Sequence, residues 1–108
     1  MSSLVTLYTM TYEMMVGLTV TDDVLYQQYR DAMAPLLAAH GGGFRHDFTI
    51  QKVLRSASEH PINRVFAIYF GSKAQMDALF AHPDYQAIKA RFFQRSVAGT
   101  TIFGGYER

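Results

Sequence analysis

The sequence predicts an α+β fold, a four-stranded antiparallel sheet with helices packed on one face. Three observations carry this. The hydrophobic period alternates between two and about 3.6 residues in the order β-α-β-β-α-β. Residues suited to helix N-caps stand where a helical period begins. The two central alternating runs are joined by a short polar connection, the pattern of an antiparallel hairpin.

Tyr12 to Val20 is the first strand. Its even positions, Tyr12, Met14, Val16, Leu18 and Val20, are all apolar, while Glu13, Met15, Gly17 and Thr19 alternate with them. Thr21-Asp22-Asp23 supplies cap oxygens for the helix that follows. From Val24 onward Leu25, Tyr29, Met33, Leu36 and His40 recur at helical steps, with Gln27, Gln28, Arg30 and Asp31 on the opposite side. Pro35 removes a helical hydrogen bond, so a kink or turn is expected near residues 33–35. Gly41-Gly42-Gly43 stops the helix, since glycine adopts a C-cap's left-handed backbone without steric cost. These glycines follow a helix instead of opening one, so they do not form a phosphate-binding loop.

Phe44 to Leu54 alternates again, with Phe44, His46, Phe48 and Ile50 assigned to one face and Arg45, Asp47, Thr49 and Gln51 to the other. After the polar stretch 55–61, a third strand runs from Asn63 to Phe70. Ser72 caps a second helix containing Met76, Leu79 and Phe80, and Pro83 starts a further helical stretch with Tyr85, Ile88, Phe92 and Phe93. Thr100 to Tyr106 is the last strand, where Gly104-Gly105 permits a bulge. This order is the ferredoxin-like split arrangement. Residues 12–108 are expected to form one domain, and residues 1–11 an extension that prolongs the first strand or reaches a partner.

Composition bounds the function. A chain of 108 residues, 49% hydrophobic, is one folded domain and not a disordered one. It has no cysteine, which excludes disulfides, a thiolate nucleophile and thiolate-held metals. A net charge of +1, without nucleic-acid-binding signatures, argues against a nucleic-acid partner. No run approaches the roughly 20 apolar residues of a membrane span, and no basic residue precedes the first apolar stretch as in a signal peptide. The expected location is cytoplasmic.

The two sheet faces differ. Met14, Val16, Leu18, Phe48, Ile50, Phe66, Ile68 and Phe70 suit the helix-covered face. Glu13, Met15, Arg45, Asp47, Gln51, Val65, Ala67, Tyr69 and Phe103 make the other too apolar for water and too charged for a core. A homodimer enclosing a semi-polar cavity on that face satisfies both observations.

Several motifs resemble a known family. They are Tyr12–Thr21 with Tyr26-Gln27-Gln28-Tyr29, Ala39-His40-Gly41-Gly42-Gly43-Phe44, Phe70-Gly71-Ser72 and His82-Pro83-Asp84-Tyr85-Gln86. They look like the domain-of-unknown-function family numbered 1330, within the dimeric α/β-barrel superfamily, over about residues 12–106. The resemblance implies two sheets closed face to face into a barrel with the helices outside. The superfamily includes cofactor-free monooxygenases, muconolactone isomerases and haem-degrading enzymes, whereas the family itself implies no single reaction. Members often carry an arginine after the Tyr85-Gln86 position, where Arg91 and Arg95 both stand.

The expected function is the binding of a small organic molecule in the barrel cavity. The alternative is a cofactor-independent oxygenase or isomerase acting on an activated carbonyl or phenolic substrate. Arg45 and Asp47, two apart on one strand, would then join Tyr69 on the next. Asp47 would serve as proton acceptor, with Arg45 and Tyr69 stabilising the anion. The competing reading makes Arg45 and Asp47 a structural ion pair. Glu13, Gln51, Tyr29 and Arg91 are candidate substrate contacts. His40, His46, His60 and His82 lack ligand spacing, and no metal or cofactor is expected. A third reading has the first eleven residues dock another protein.

Overall fold

Strand β1 (Tyr12–Val20) lies inside the sheet and pairs antiparallel on both sides, with β3 (Arg64–Phe70) and with β4 (Val97–Glu107). Strand β2 (Gly43–Thr49) adds to the free side of β3, giving the order β2-β3-β1-β4. The computed structural model describes residues 10–108, so the expected N-terminal arm lies almost wholly outside the described residues. Thr11 exchanges two backbone hydrogen bonds of 2.8 Å with Arg108, which extends the β1–β4 pairing by one position.

Helix α1 (Asp23–Ala39) starts on Asp22, whose side chain accepts from the Leu25 amide. It continues through Pro35 without the expected turn. Pro35 points to solvent, while Met33 and Leu37 on either side are buried and hold the helix against the sheet. Gly41, at φ +71°, ends the helix as expected, and Gly42 N–H bonds to the Leu37 carbonyl.

Helix α2 (Lys73–Ala81) is capped by Ser72, and His82 caps α3 (Pro83–Ile88) through Nδ1, which accepts from the Asp84 amide. Residues Lys89–Phe93 then form a π-helical turn, closed by Gln94 N–H to the Lys89 carbonyl. This wide turn inserts an extra residue into the helix and is invisible to a 3.6-residue pattern.

The core lies between helices and sheet. Met14, Val16, Leu18, Phe66, Ile68 and Phe70 project from the sheet against Tyr26, Tyr29, Met33 and Leu37 of α1 and Leu79 of α2. Burying each such side chain contributes on the order of 1.5–3 kcal/mol.

The structure corrects the reading of β2. Phe44 pairs with Ile68 and His46 with Ala67, leaving Arg45 as the extra residue of a bulge. One inserted residue reverses the phase of a strand. Asp47 therefore faces the helices, while His46 and Phe48 face the open side, with their rings stacked 5.9 Å apart. Residues 50–63 form a loop, so Ile50 and Gln51 are not strand positions.

Candidate functional site

The bulge separates Arg45 and Asp47, which the alternation placed side by side. Asp47 accepts from Arg30 at 3.1 and 3.3 Å and from Arg64 at 2.8 and 2.9 Å. Burial alone would raise its carboxyl, but the bonds and charges of these two arginines outweigh burial and hold it below the usual carboxylate range. An aspartate so held has little proton affinity near neutrality. The structural ion pair is thus the geometry found, with Arg30 and Arg64 as partners instead of Arg45.

Arg30, placed on the polar side of α1 by its spacing, is instead buried. Its guanidinium lies 3.7 Å from the Phe44 ring centroid and 4.8 Å from that of Phe66, and Nε donates to Tyr26 Oη at 2.8 Å. Aromatic faces and a fork of donors suit arginine in such a place.

On the open face, Arg45 Nε bonds Glu13 Oε1 at 2.6 Å, and its guanidinium sits 4.5 Å above the Tyr69 ring. Tyr106 donates to Glu13 Oε2 at 2.5 Å, and Arg108 approaches the same oxygen at 3.4 Å. Glu13 is 1% exposed although it lies on the outer face of the sheet, because these polar side chains fold over it. Its burial is offset by the Tyr106 and Arg45 bonds and the Arg108 charge, which together lower its pKa. Glu13, Arg45 and Tyr69 therefore do come together, while Gln51 stands exposed in the loop.

The other side of the sheet holds a cavity of about 450 Å³, lined by Met14, Val16, Ile68, Tyr29, Phe80, Tyr85, Gln86, Lys89 and Phe93 among others. Tyr29 belongs here and not to the open face. Its hydroxyl lies 2.8 Å from that of Tyr85. Burial raises the pKa of both phenols, so both stay protonated. Two hydroxyls carry two protons and their mutual bond uses one; neither has another hydrogen-bond partner among the described residues. One donor is left over at the cavity wall. Lys89, also on the wall, forms no ion pair among the described residues.

Arg91 is exposed, with its guanidinium 5.1 Å from the Phe92 ring, and it does not line this cavity. Sequence reasoning passed over Tyr85 as a site residue and took Lys89, with Arg91 and Arg95, as a solvated basic face or an anion contact at a cavity mouth. The i, i+4 spacing of Tyr85 and Lys89, one turn apart on one helix face, was the available signal. His40 and His82, from two different helix ends, meet edge to face at 6.2 Å, but each commits Nδ1 to a backbone group.

Comparison with known proteins agrees with this architecture. The domain of unknown function DUF1330 matches residues 12–106. The chain belongs to this family. A protein of unknown function from Rhodopseudomonas palustris is similar in structure, with a TM-score of 0.74, 12% identity, and coverage of 100% of this chain and 92% of that one. A dimeric protein of unknown function with a ferredoxin-like fold from Bacteroides fragilis follows at 0.56 and 15%, covering 91% and 96%. A hydroxynitrile lyase from Passiflora edulis has a TM-score of 0.62 at 11% identity, covering 94% of each chain. At such identities the likeness establishes the ferredoxin-like fold alone. A search of curated proteins finds no match. Among the described residues, no helix is long and apolar enough to cross a membrane.

Proposed function

We propose that this DUF1330 protein is a homodimer that binds a compact, largely apolar organic molecule carrying a carbonyl or carboxylate. The ligand sits in the cavity between helices and sheet in each subunit. The unspent hydroxyl proton of the Tyr29–Tyr85 pair carries this reading. A buried donor without an acceptor is costly, and a ligand oxygen would supply the acceptor. Lys89 adds a cation for a carboxylate, and a volume of about 450 Å³ is in the range of small-molecule pockets.

Dimerisation is supported by the open face, where Phe48 and Phe103 are each 54% exposed beside Met15 and Val65. A second copy packed sheet to sheet would bury them.

A second reading, a cofactor-independent enzyme acting on an activated carbonyl or phenolic compound, draws on the same donor. The phenol proton and Lys89 would stabilise oxyanion charge developing on a bound carbonyl, a role in which Asp47 has no part. A hydroxynitrile lyase built on a similar fold is consistent with that reading.

The test is native mass spectrometry of the purified protein, followed by a thermal-shift screen of aromatic acids and quinones. A bound small molecule, or a melting temperature raised by an aromatic acid and not by its amide, is the expected result. The absence of both, or stabilisation that survives Tyr29→Phe/Tyr85→Phe and Lys89→Met, would overturn the proposal.

A further inference from the structure

A second polar centre lies on the open face, at the end of the sheet away from Glu13. Thr19 of β1 and Gly99 of β4 are cross-strand partners, and Thr101 follows two residues along β4 on the same face. The 50–63 loop lays the His60 imidazole across Gly99, where an added Cβ would come within 2.4 Å of the ring's Cγ. Only glycine leaves room for the ring there. Thr19 Oγ1 lies 2.7 Å from His60 Nδ1, Thr101 Oγ1 lies 2.7 Å from His60 Nε2, and Ser58 Oγ lies 2.7 Å from Thr101 Oγ1.

The direction of this chain follows from its far end. Thr19 donates its hydroxyl proton to the Pro61 carbonyl, which can only accept. Thr19 must then accept from His60 Nδ1–H. In the neutral ring Nε2 is left as an acceptor, taken by the Thr101 proton, and Thr101 in turn accepts from Ser58. The lone pairs of the Ser58 oxygen receive no donor among the described residues.

Ser58 and Thr101 both line a groove of about 990 Å³, whose apolar wall includes Val53 and, from the face assigned above to a second copy, Val65 and Phe103. Lys52 and Arg55 stand on the same groove and form no ion pair among the described residues.

We propose that Ser58, Thr101 and His60 form a proton relay that ionises the hydroxyl of an apolar phenol or enol bound in this groove. The ligand O–H bond breaks and its electron pair stays on the ligand oxygen. The proton passes to Ser58 as Ser58's passes to Thr101 and Thr101's to His60 Nε2. Afterwards the imidazolium donates to Thr19 and Thr101, and the two hydroxyls have turned toward the ligand, so no hydrogen bond is lost. Lys52 and Arg55 are placed for the anion that results. The relay lies across the sheet from the Tyr29–Tyr85 cavity and does not rest on that reading.

The test uses 4-nitrophenol, whose anion absorbs in the visible and whose neutral form does not, in buffer at its own pKa, where an imidazole is mostly neutral. Titration with the protein is expected to raise the phenolate-to-phenol ratio of the bound probe about tenfold, equivalent to one pKa unit. His60→Gln is expected to abolish the rise. Thr101→Val, of the same shape but cutting the relay, is expected to do the same, and decides the matter if His60→Gln does not fold by circular dichroism. No rise with the wild-type protein would overturn the proposal. So would a rise that persists in Thr101→Val, which would assign the ionisation to Lys52, Arg55 or another site.

Discussion

Arg30→Ala removes a buried cation held by three kinds of contact, and its cost can be worked from the geometry. The Tyr26 hydroxyl, on a side chain 1% exposed, loses its partner, at about 1–2 kcal/mol for an unsatisfied buried group. Asp47 loses two of its four charge-assisted bonds. Its side chain is 33% exposed and Arg64 still holds it, so this loss is about 1 kcal/mol after screening. Contact with the Phe44 and Phe66 rings adds about 1–2 kcal/mol. The sum is roughly 3–5 kcal/mol, which for a domain of this size lowers Tm by about 12–30 °C. Arg30→Lys keeps the charge but cannot serve Tyr26 and Asp47 together, so it should fall about halfway. Urea unfolding at one fixed protomer concentration measures both, because association would otherwise shift the midpoint. A double-mutant cycle with Tyr26→Phe should give a coupling of about 1 kcal/mol. An Arg30→Ala loss within about 1 kcal/mol, or no coupling to Tyr26, would refute a buried arginine at the centre of this cluster.

Other consequences follow from the same contacts. Glu13 and Asp47 have folded-state pKa values below the ordinary carboxylate range, so their stabilisation is complete above about pH 5 and is lost as pH falls through the unfolded and then the lowered values. The urea midpoint should stay level down to about pH 5 and then drop, and Glu13→Gln should make the drop shallower; an acid profile unchanged by that substitution would contradict the role of Glu13. Phe48→Asp/Phe103→Asp places two carboxylates on the open face and should convert the proposed dimer to a folded monomer in light scattering, whereas a dimer that persists would place the interface elsewhere. Gly41→Ala forces a Cβ into a left-handed backbone and should cost about 1–2 kcal/mol in chemical unfolding; a neutral effect would show that the turn has relaxed.

The order of elements along the chain and the helix caps were legible because they depend on local sequence. Asp22, Ser72 and Pro83 stand where their side chains dictate, and the apolar positions of β1 face the helices. The candidate site was legible only in part. Glu13, Arg45 and Tyr69 meet because β1, β2 and β3 keep register up to Gly43, where Glu13 and Gly43 share Tyr69 as their partner. Asp47 does not join them, because a bulge is set by pairing with β3 and leaves no mark on the pattern of β2 itself. Arg30 looked solvent-facing by spacing, since nothing local reveals that rings and a carboxylate from two strands will enclose it. The cavity beside Tyr29 and Tyr85 was not legible for a related reason. The π-helical turn at Lys89–Phe93 reorients Phe93 onto Tyr29, with ring centroids 5.0 Å apart, and that rotation arises from tertiary packing. The His60 chain depends on a loop folding back over Gly99, which neither composition nor period encodes.

Two neighbouring methionines report directly on whether a ligand occupies the helix side of the sheet. Met14 lines the Tyr29–Tyr85 cavity, while Met15 faces the opposite side of the same strand, paired with Ala67. With methionine methyl groups labelled with carbon-13, titration with 2-naphthoate should shift the Met14 resonance saturably and leave Met15 in place. A shift at Met15 with Met14 unmoved would put 2-naphthoate on the open face and overturn its assignment to the Tyr29–Tyr85 cavity.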